Sequence, residues 1–113
     1  LQTINVLLSK VDAQGAEVDM AAFADLGMEQ SKTAYQSMGM TDVKASRETV
    51  TFMGQPYEGI RLTATYDGNA PVYCTQICMQ EGDYVCVVTF TSYIEDTTAD
   101  MMGYFSLLST ETE

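Results

Sequence analysis

Residues 50–93 read VTFMGQPYEGIRLTATYDGNAPVYCTQICMQEGDYVCVVTFTSY, and the fold turns on how that stretch divides. Gly54-Gln55-Pro56, Asp67-Gly68-Asn69 and Glu81-Gly82-Asp83 cut it into four runs. The runs are Val50–Met53, Tyr57–Tyr66, Val72–Gln80 and Tyr84–Tyr93, all rich in Val, Ile, Thr, Tyr and Phe, which suit a pleated surface. Gly, Asp, Asn and Pro in the gaps supply turn backbone. The spacing predicts an antiparallel meander. In the second run Ile60, Leu62, Ala64 and Tyr66 form one face, with Arg61, Thr63 and Thr65 on the other. In the fourth run Tyr84, Cys86, Val88 and Phe90 oppose Val85, Val87 and Thr89. Both of those faces are apolar, which predicts a central strand covered on both sides.

Working outward, Thr3–Val11 alternates at Ile4, Val6 and Leu8, the pattern of a strand with one buried face. Asp12-Ala13-Gln14-Gly15 reads as a turn. Asp19 reads as the N-cap of a helix running to Met38, with Gly39 as its stop. Met20, Ala24, Met28, Tyr35 and Met38 make one stripe on it, and Phe23, Leu26 and Ala34 a neighbouring one, so a broad face must pack on a sheet. Val43 and Ala45 alternate, as do Val50 and Phe52, but with opposite parity; one extra residue near Ser46–Glu48 would reconcile them as a bulge. Downstream, Thr97-x-x-Asp100 has the form of a capping box. Met101, Tyr104, Phe105 and Leu108 follow at helical spacing, with Leu107 widening the stripe, before a polar tail at Ser109–Glu113. The order predicts an α+β fold: a meandering antiparallel β-sheet packed against a long N-terminal helix and a short C-terminal helix.

The length of 113 residues suits a single domain with a core of its own. Five Lys+Arg against sixteen Asp+Glu give a net charge of −11, which leaves no basic footprint for nucleic acid or for an anionic membrane surface. No apolar run is long enough to span a membrane, so no direct insertion is expected. The chain starts at Leu1 without a basic-then-apolar signal segment and reads as an excised or processed part of a longer protein.

The layout has a parallel among known folds. The strand at Ile4–Ser9, the long helix, the Phe52-Met53-Gly54-Gln55-Pro56 turn and the meander come first. The aromatic-ended strand Tyr84–Tyr93 and a helix with Phe105 and Leu108 before Ser109 complete it. This resembles the PsbP/Mog1-like fold and, within it, bacterial envelope and lipoprotein-type members. The resemblance covers nearly the whole chain and implies an extracytoplasmic protein, envelope-associated or secreted. Those families carry an N-terminal hairpin, often with a Trp, before the first strand; this chain has no Trp and no room for that hairpin. Members share no catalytic centre, so no functional residue carries over.

The residues themselves argue against catalysis. With no His, the Ser-His-Asp and Cys-His arrangements and the usual zinc sites are excluded. No phosphate loop or dinucleotide glycine fingerprint is present. Asp67 with Asn69, Glu81 with Asp83, and Glu95 with Asp96 offer two side chains each, short of a calcium shell, and turn chemistry explains Asp67, Asn69 and Asp83. No metal or cofactor is expected. Centring the third turn on Gly82 sets Cys78 opposite Cys86, which leaves two readings open: a disulfide, or buried thiols alongside Cys74. Tyr57, Tyr66 and Tyr73 read either as half-buried sheet packing or as a ligand or partner surface. The expectation is a non-catalytic binding or assembly domain whose partner is another protein or protein domain. The alternative is a small-ligand carrier with a pocket between the Asp19–Met38 helix and the sheet.

Overall fold

The computed structural model describes residues 2–11 and 18–105. Its elements run β1 (Gln2–Lys10), α1 (Met20–Ser37), β2 (Thr41–Phe52), β3 (Gln55–Tyr66), β4 (Ala70–Glu81), β5 (Tyr84–Tyr93) and α2 (Thr98–Met102). The five strands form one antiparallel sheet in the order β1-β5-β4-β3-β2. The α+β architecture, with its long N-terminal and short C-terminal helix, is as the residue pattern predicts. Strand β5 lies between β1 and β4, in the interior position that its two apolar faces demand.

The turns follow from backbone chemistry. Met53 and Gly54 both take positive φ (52° and 80°), as do Asp67 and Gly68 (53° and 81°). Two successive positive-φ residues match the right-handed twist of the flanking strands, and Gly adopts that conformation without a Cβ clash. Phe52 pairs with Gln55, so the first turn is Met53-Gly54 and β3 begins one residue beyond it. Pro56 therefore sits inside a strand, at a place where β3 has not yet met β4, and its missing N–H costs the sheet nothing.

Helix α1 starts where the sequence places it. Asp19 Oδ1 accepts from the backbone N–H of Ala21 at 3.1 Å and of Ala22 at 3.2 Å, satisfying two otherwise orphan donors. The helix ends at Ser37 with Met38 as its C-cap, followed by Gly39 with φ +87°. It lies over β2, β3 and β4. Ala24 is fully buried there, and a Cβ on Gly27 would meet Ile60 Cδ1 at 3.5 Å, so small residues let helix and sheet approach closely. Ile60, Leu62, Cys74 and Cys78 form the sheet side of this core, with Met20, Phe23, Met28, Tyr35 and Val87 packed around them.

A second core occupies the opposite face, built from Val50, Phe52, Ile77, Met79, Val88, Phe90 and Met101. Strands β2 and β5 are separated by two others, so in a flat sheet they would be about 14 Å apart at ~4.8 Å per strand. The rings of Phe52 and Phe90 are nevertheless 5.8 Å apart. The sheet must therefore curl, carrying the end of the β2–β3 hairpin over this face. Gly59 makes room for the curl: a Cβ there would lie 2.3 Å from Val50 Cγ2.

The curl resolves the parity change in β2 without the expected bulge at Ser46–Glu48. Val43 and Ala45 pack in the core under α1, whereas Val50 and Phe52 pack in the core on the other side. One strand serves both faces in turn, and its register shift comes earlier, between Thr41 and Lys44.

Three further expectations are corrected. Strand β1 has no buried face, because α1 and α2 pack on the other strands. Helix α2 has five residues, so Tyr104 and Phe105 lie beyond it, and Leu107, Leu108 and the Ser109–Glu113 tail fall outside the described residues. Nor is there a capping box. Thr97 makes no side-chain cap bond; Asp96 Oδ1 instead accepts from the Thr98 N–H at 3.2 Å and the Thr98 hydroxyl at 2.8 Å.

Candidate functional site

Three places on the molecule present chemistry, and they differ in what they can do. The first is the polar network that docks α2. Arg61 Nη1 donates to Thr75 Oγ1 at 2.8 Å and to Thr98 Oγ1 at 3.0 Å, Nη2 pairs with Asp96, and the guanidinium lies 5.8 Å from the centre of the Tyr73 ring. Thr75 donates to Thr98, and both hydroxyls are buried. Arg61 Nη1 and Nη2, Thr75, Thr98 and Asp96 all bond within the network, which holds the helix on the sheet. Arg47 ties α1 to the other face, donating to the Ala21 carbonyl at 2.8 Å and to Asp25 at 2.5 Å and pairing with Glu58, while its buried Nε has no hydrogen-bond partner among the described residues.

The second place is an open cleft of about 770 Å³ at the start of α1, lined by Val18, Met20, Tyr57, Glu58, Met79 and Gln80 among others. It opens at the end of the helix. Under the helix itself, Ala24, Ile60, Leu62, Cys74 and Cys78 fill the interface.

The thiols lie in and beside that interface. Glu81 pairs with Tyr84, so the turn is the two residues Gly82-Asp83, one position off the centring on Gly82. Cys78 consequently faces Val87 and Cys86 faces Met79, which puts the two sulfurs on opposite sides of the sheet. Cys74, Cys78 and Cys86 are all free thiols. Burial pushes each of them up, Cys78 to about 11, so none is poised as a thiolate near neutral pH. The Tyr35 phenol beside Cys74 is pushed up as well, first by burial and then by that thiol. The tyrosines do not converge either. Tyr57 and Tyr73 belong to the α2 face, but Tyr73 pairs with Thr63, six residues along β3 from Tyr57, a separation of about 20 Å. Tyr66 is exposed at the end of β3. Among the described residues no group of three or more His, Cys, Asp or Glu could hold a metal ion. No described helix is long and apolar enough to cross a membrane.

The third place is β1. It pairs with β5 without interruption from Gln2 opposite Ser92 to Lys10 opposite Tyr84, and among the described residues its other side has no neighbour in the sheet. Half of its backbone N–H and C=O groups therefore point outward, unpaired by the sheet. Its apolar side chains stand open, three on one face and one on the other. Ile4, Val6 and Leu8, on the α2 face, are 43%, 63% and 61% exposed, and Leu7, on the α1 face, is 63% exposed.

The two edges of the sheet are treated differently. Natural edge strands are blunted by charges, bulges, Pro or a covering element. Strand β2 has these devices: Asp42, Lys44, Arg47 and Glu48, a register shift, and α1 packed along it. Among the described residues strand β1 has none of them except Lys10 at its end. Residues 1–11 contain no Asp or Glu, and neither do residues 84–94, which include the adjoining β5, in a chain with sixteen acids. Sequence reasoning took the alternation at Ile4, Val6 and Leu8 as a sign of burial. The signals it passed over were Leu7 on the other face and the missing acids.

No family model matches this sequence, and a search of curated proteins finds no match. By structure the chain is similar to the Pseudomonas aeruginosa protein of unknown function PA94. Identity is 15% and the TM-score 0.46, covering 91% of this chain and 77% of that one. A likeness at that level carries no argument about fold family or function.

Proposed function

We propose that this chain is a non-catalytic binding and assembly domain that takes a strand of a protein partner along the free edge of β1. The observation that carries the reading is the uninterrupted, acid-free strand with Ile4, Val6, Leu7 and Leu8 all exposed. An added strand gains main-chain hydrogen bonds along the edge and buries apolar side chains on both faces. The rest of the molecule serves as a scaffold: Val88 and Phe90 anchor β5 in the core on the α2 face, Val87 packs against the core under α1, and β5 holds β1 in register. In this reading the layout is PsbP/Mog1-like and the protein works outside the cytoplasm, at the envelope or secreted; the support for both is the order of elements. The packed α1–sheet interface favours an edge-binding domain over a ligand carrier.

The test is selection of displayed peptides with alternating apolar residues against the chain, with the Val6→Lys chain as counter-selection. Enriched strand-forming peptides that bind the natural chain and lose at least ten-fold affinity for Val6→Lys are expected. No enrichment, or peptides indifferent to the substitution, would overturn the reading.

A further inference from the structure

We infer that the strand taken by this edge is β1 of a second copy of the chain, joined antiparallel across a twofold axis at Val6. The inference deepens the reading above and rests on it.

The sequence of β1 is complementary to itself in one register. With the axis at Val6 and normal to the sheet, Val6 faces Val6, and Ile4 faces the second copy's Leu8. The exposed apolar residues of the α2 face thereby form one continuous row. On the α1 face Thr3 meets the second copy's Ser9, two hydroxyls within cross-strand reach, and Asn5 meets Leu7. Moving the axis to Leu7 sets Ile4 against Lys10, and moving it to Asn5 sets Leu8 against Gln2. Only the Val6 register matches all three exposed residues of the α2 face, Ile4, Val6 and Leu8, with one another.

Charge selects the same arrangement. Two copies of net charge −11 repel each other over most of their surfaces. The β1–β5 strip, with no acid in residues 1–11 or 84–94, is where that repulsion is weakest. The one charge on β1, Lys10, arrives opposite the second copy's Gln2. Gln2 shares a shallow pocket with Tyr93, Ile94, Glu95 and Thr97, so each Lys10 comes to the neighbourhood of the other copy's Glu95. An unrelated partner would have no need of this match at both ends. The product is a ten-stranded sheet with α1 of both copies on one side, closed by its own symmetry and with both outer edges formed by the protected β2.

The experiment is sedimentation velocity across micromolar to hundreds of micromolar chain, for the natural protein, Val6→Lys, Val6→Glu and a 1:1 mixture of the two. A dimer is expected for the natural chain. Each charged variant, tested alone, should dissociate at least ten-fold more readily, and the mixture should restore the dimer, because Val6 faces only its own counterpart. Circular dichroism checks that each variant keeps its fold. If either does not, Lys10→Glu should weaken the dimer and Gln2→Lys added to it should restore it, since those residues face one another only in this register. A natural chain that stays monomeric, or a dimer indifferent to these changes, overturns the inference. A monomer that still enriches Val6-dependent strand peptides leaves the edge-binding reading standing while the second copy falls; a monomer that enriches none removes both.

Discussion

Phe52 on β2 and Phe90 on β5 meet edge to face, with ring centres 5.8 Å apart and planes at 62°, across two intervening strands. Phe105 closes the triangle at 5.3 Å from Phe52 and 5.6 Å from Phe90. These contacts pin the curled hairpin to the centre of the sheet. Replacing Phe52 with Ala is expected to cost about 3–5 kcal/mol, the range for deleting a buried aromatic. A urea midpoint that moves no more than it does for an exposed-site change such as Val6→Lys would show that the curl is held by something else.

Gly59 is the second determinant of the curl. An added Cβ meets Val50 Cγ2 at 2.3 Å and the Glu48 carbonyl oxygen at 3.1 Å. Gly59→Ala is expected to destabilise by about 1–3 kcal/mol through overpacking. Adding Val50→Ala removes the nearest atom, so the double variant should be more stable than the sum of the single effects predicts. A double-mutant cycle measures this coupling, and strict additivity would contradict the close contact.

Asp96 joins α2 to the sheet by accepting from Thr98 and pairing with Arg61. Asp96→Ala is expected to cost about 1–2 kcal/mol, the worth of a helix cap together with a partly exposed ion pair. Thr97→Val should cost less, because Thr97 makes no side-chain cap bond. The opposite ranking in denaturant melts would restore the capping box.

The thiols set a dependence on alkaline pH. Burial raises Cys74, Cys78 and Cys86 in the folded chain, Cys78 to about 11. Above the ordinary thiol value of about 8.5 the unfolded chain releases protons that the folded chain retains. The folded state then binds more protons, and stability falls as pH rises. The contribution is fully present below about pH 8.5 and is lost as pH climbs through the folded Cys78 value of about 11. Urea midpoints at pH 7, 9 and 10.5 should decline, and Cys78→Ala should flatten the decline. A midpoint that held steady or rose would contradict the burial of these groups.

Much of the fold could be read from residue order. Asp19 and Gly39 mark the ends of α1 because capping and positive φ are local chemistry, and the limits of β5 are those its apolar run suggests. What could not be read depends on contacts between distant residues. The opposite parities of Val43 and Val50 look like a bulge in one dimension; only the curl, which brings Phe52 to Phe90, turns them into two cores. The Cys78–Cys86 register depended on whether the turn spans Gly82 alone at its centre or Gly82 with Asp83, a shift of one residue that moves a side chain to the other face. The candidate site was hidden for a related reason. Alternation at Ile4, Val6 and Leu8 marks an apolar face, but the chain that would cover it need not be the same molecule.

The most direct test of the β1 edge is amide hydrogen exchange, resolved residue by residue along Gln2–Lys10 by NMR. It should be measured in dilute chain, in concentrated chain and with the selected strand peptides. In dilute chain every second amide should be protected by β5 and the intervening ones should exchange fast, because those point away from the sheet. The fast set should slow when a strand is added, whether from a second copy or a peptide. Uniform protection at every dilution would mean that the edge is already covered within one chain. A fast set that stays fast with excess chain and with peptide would mean that β1 takes no strand, and either result would contradict the account.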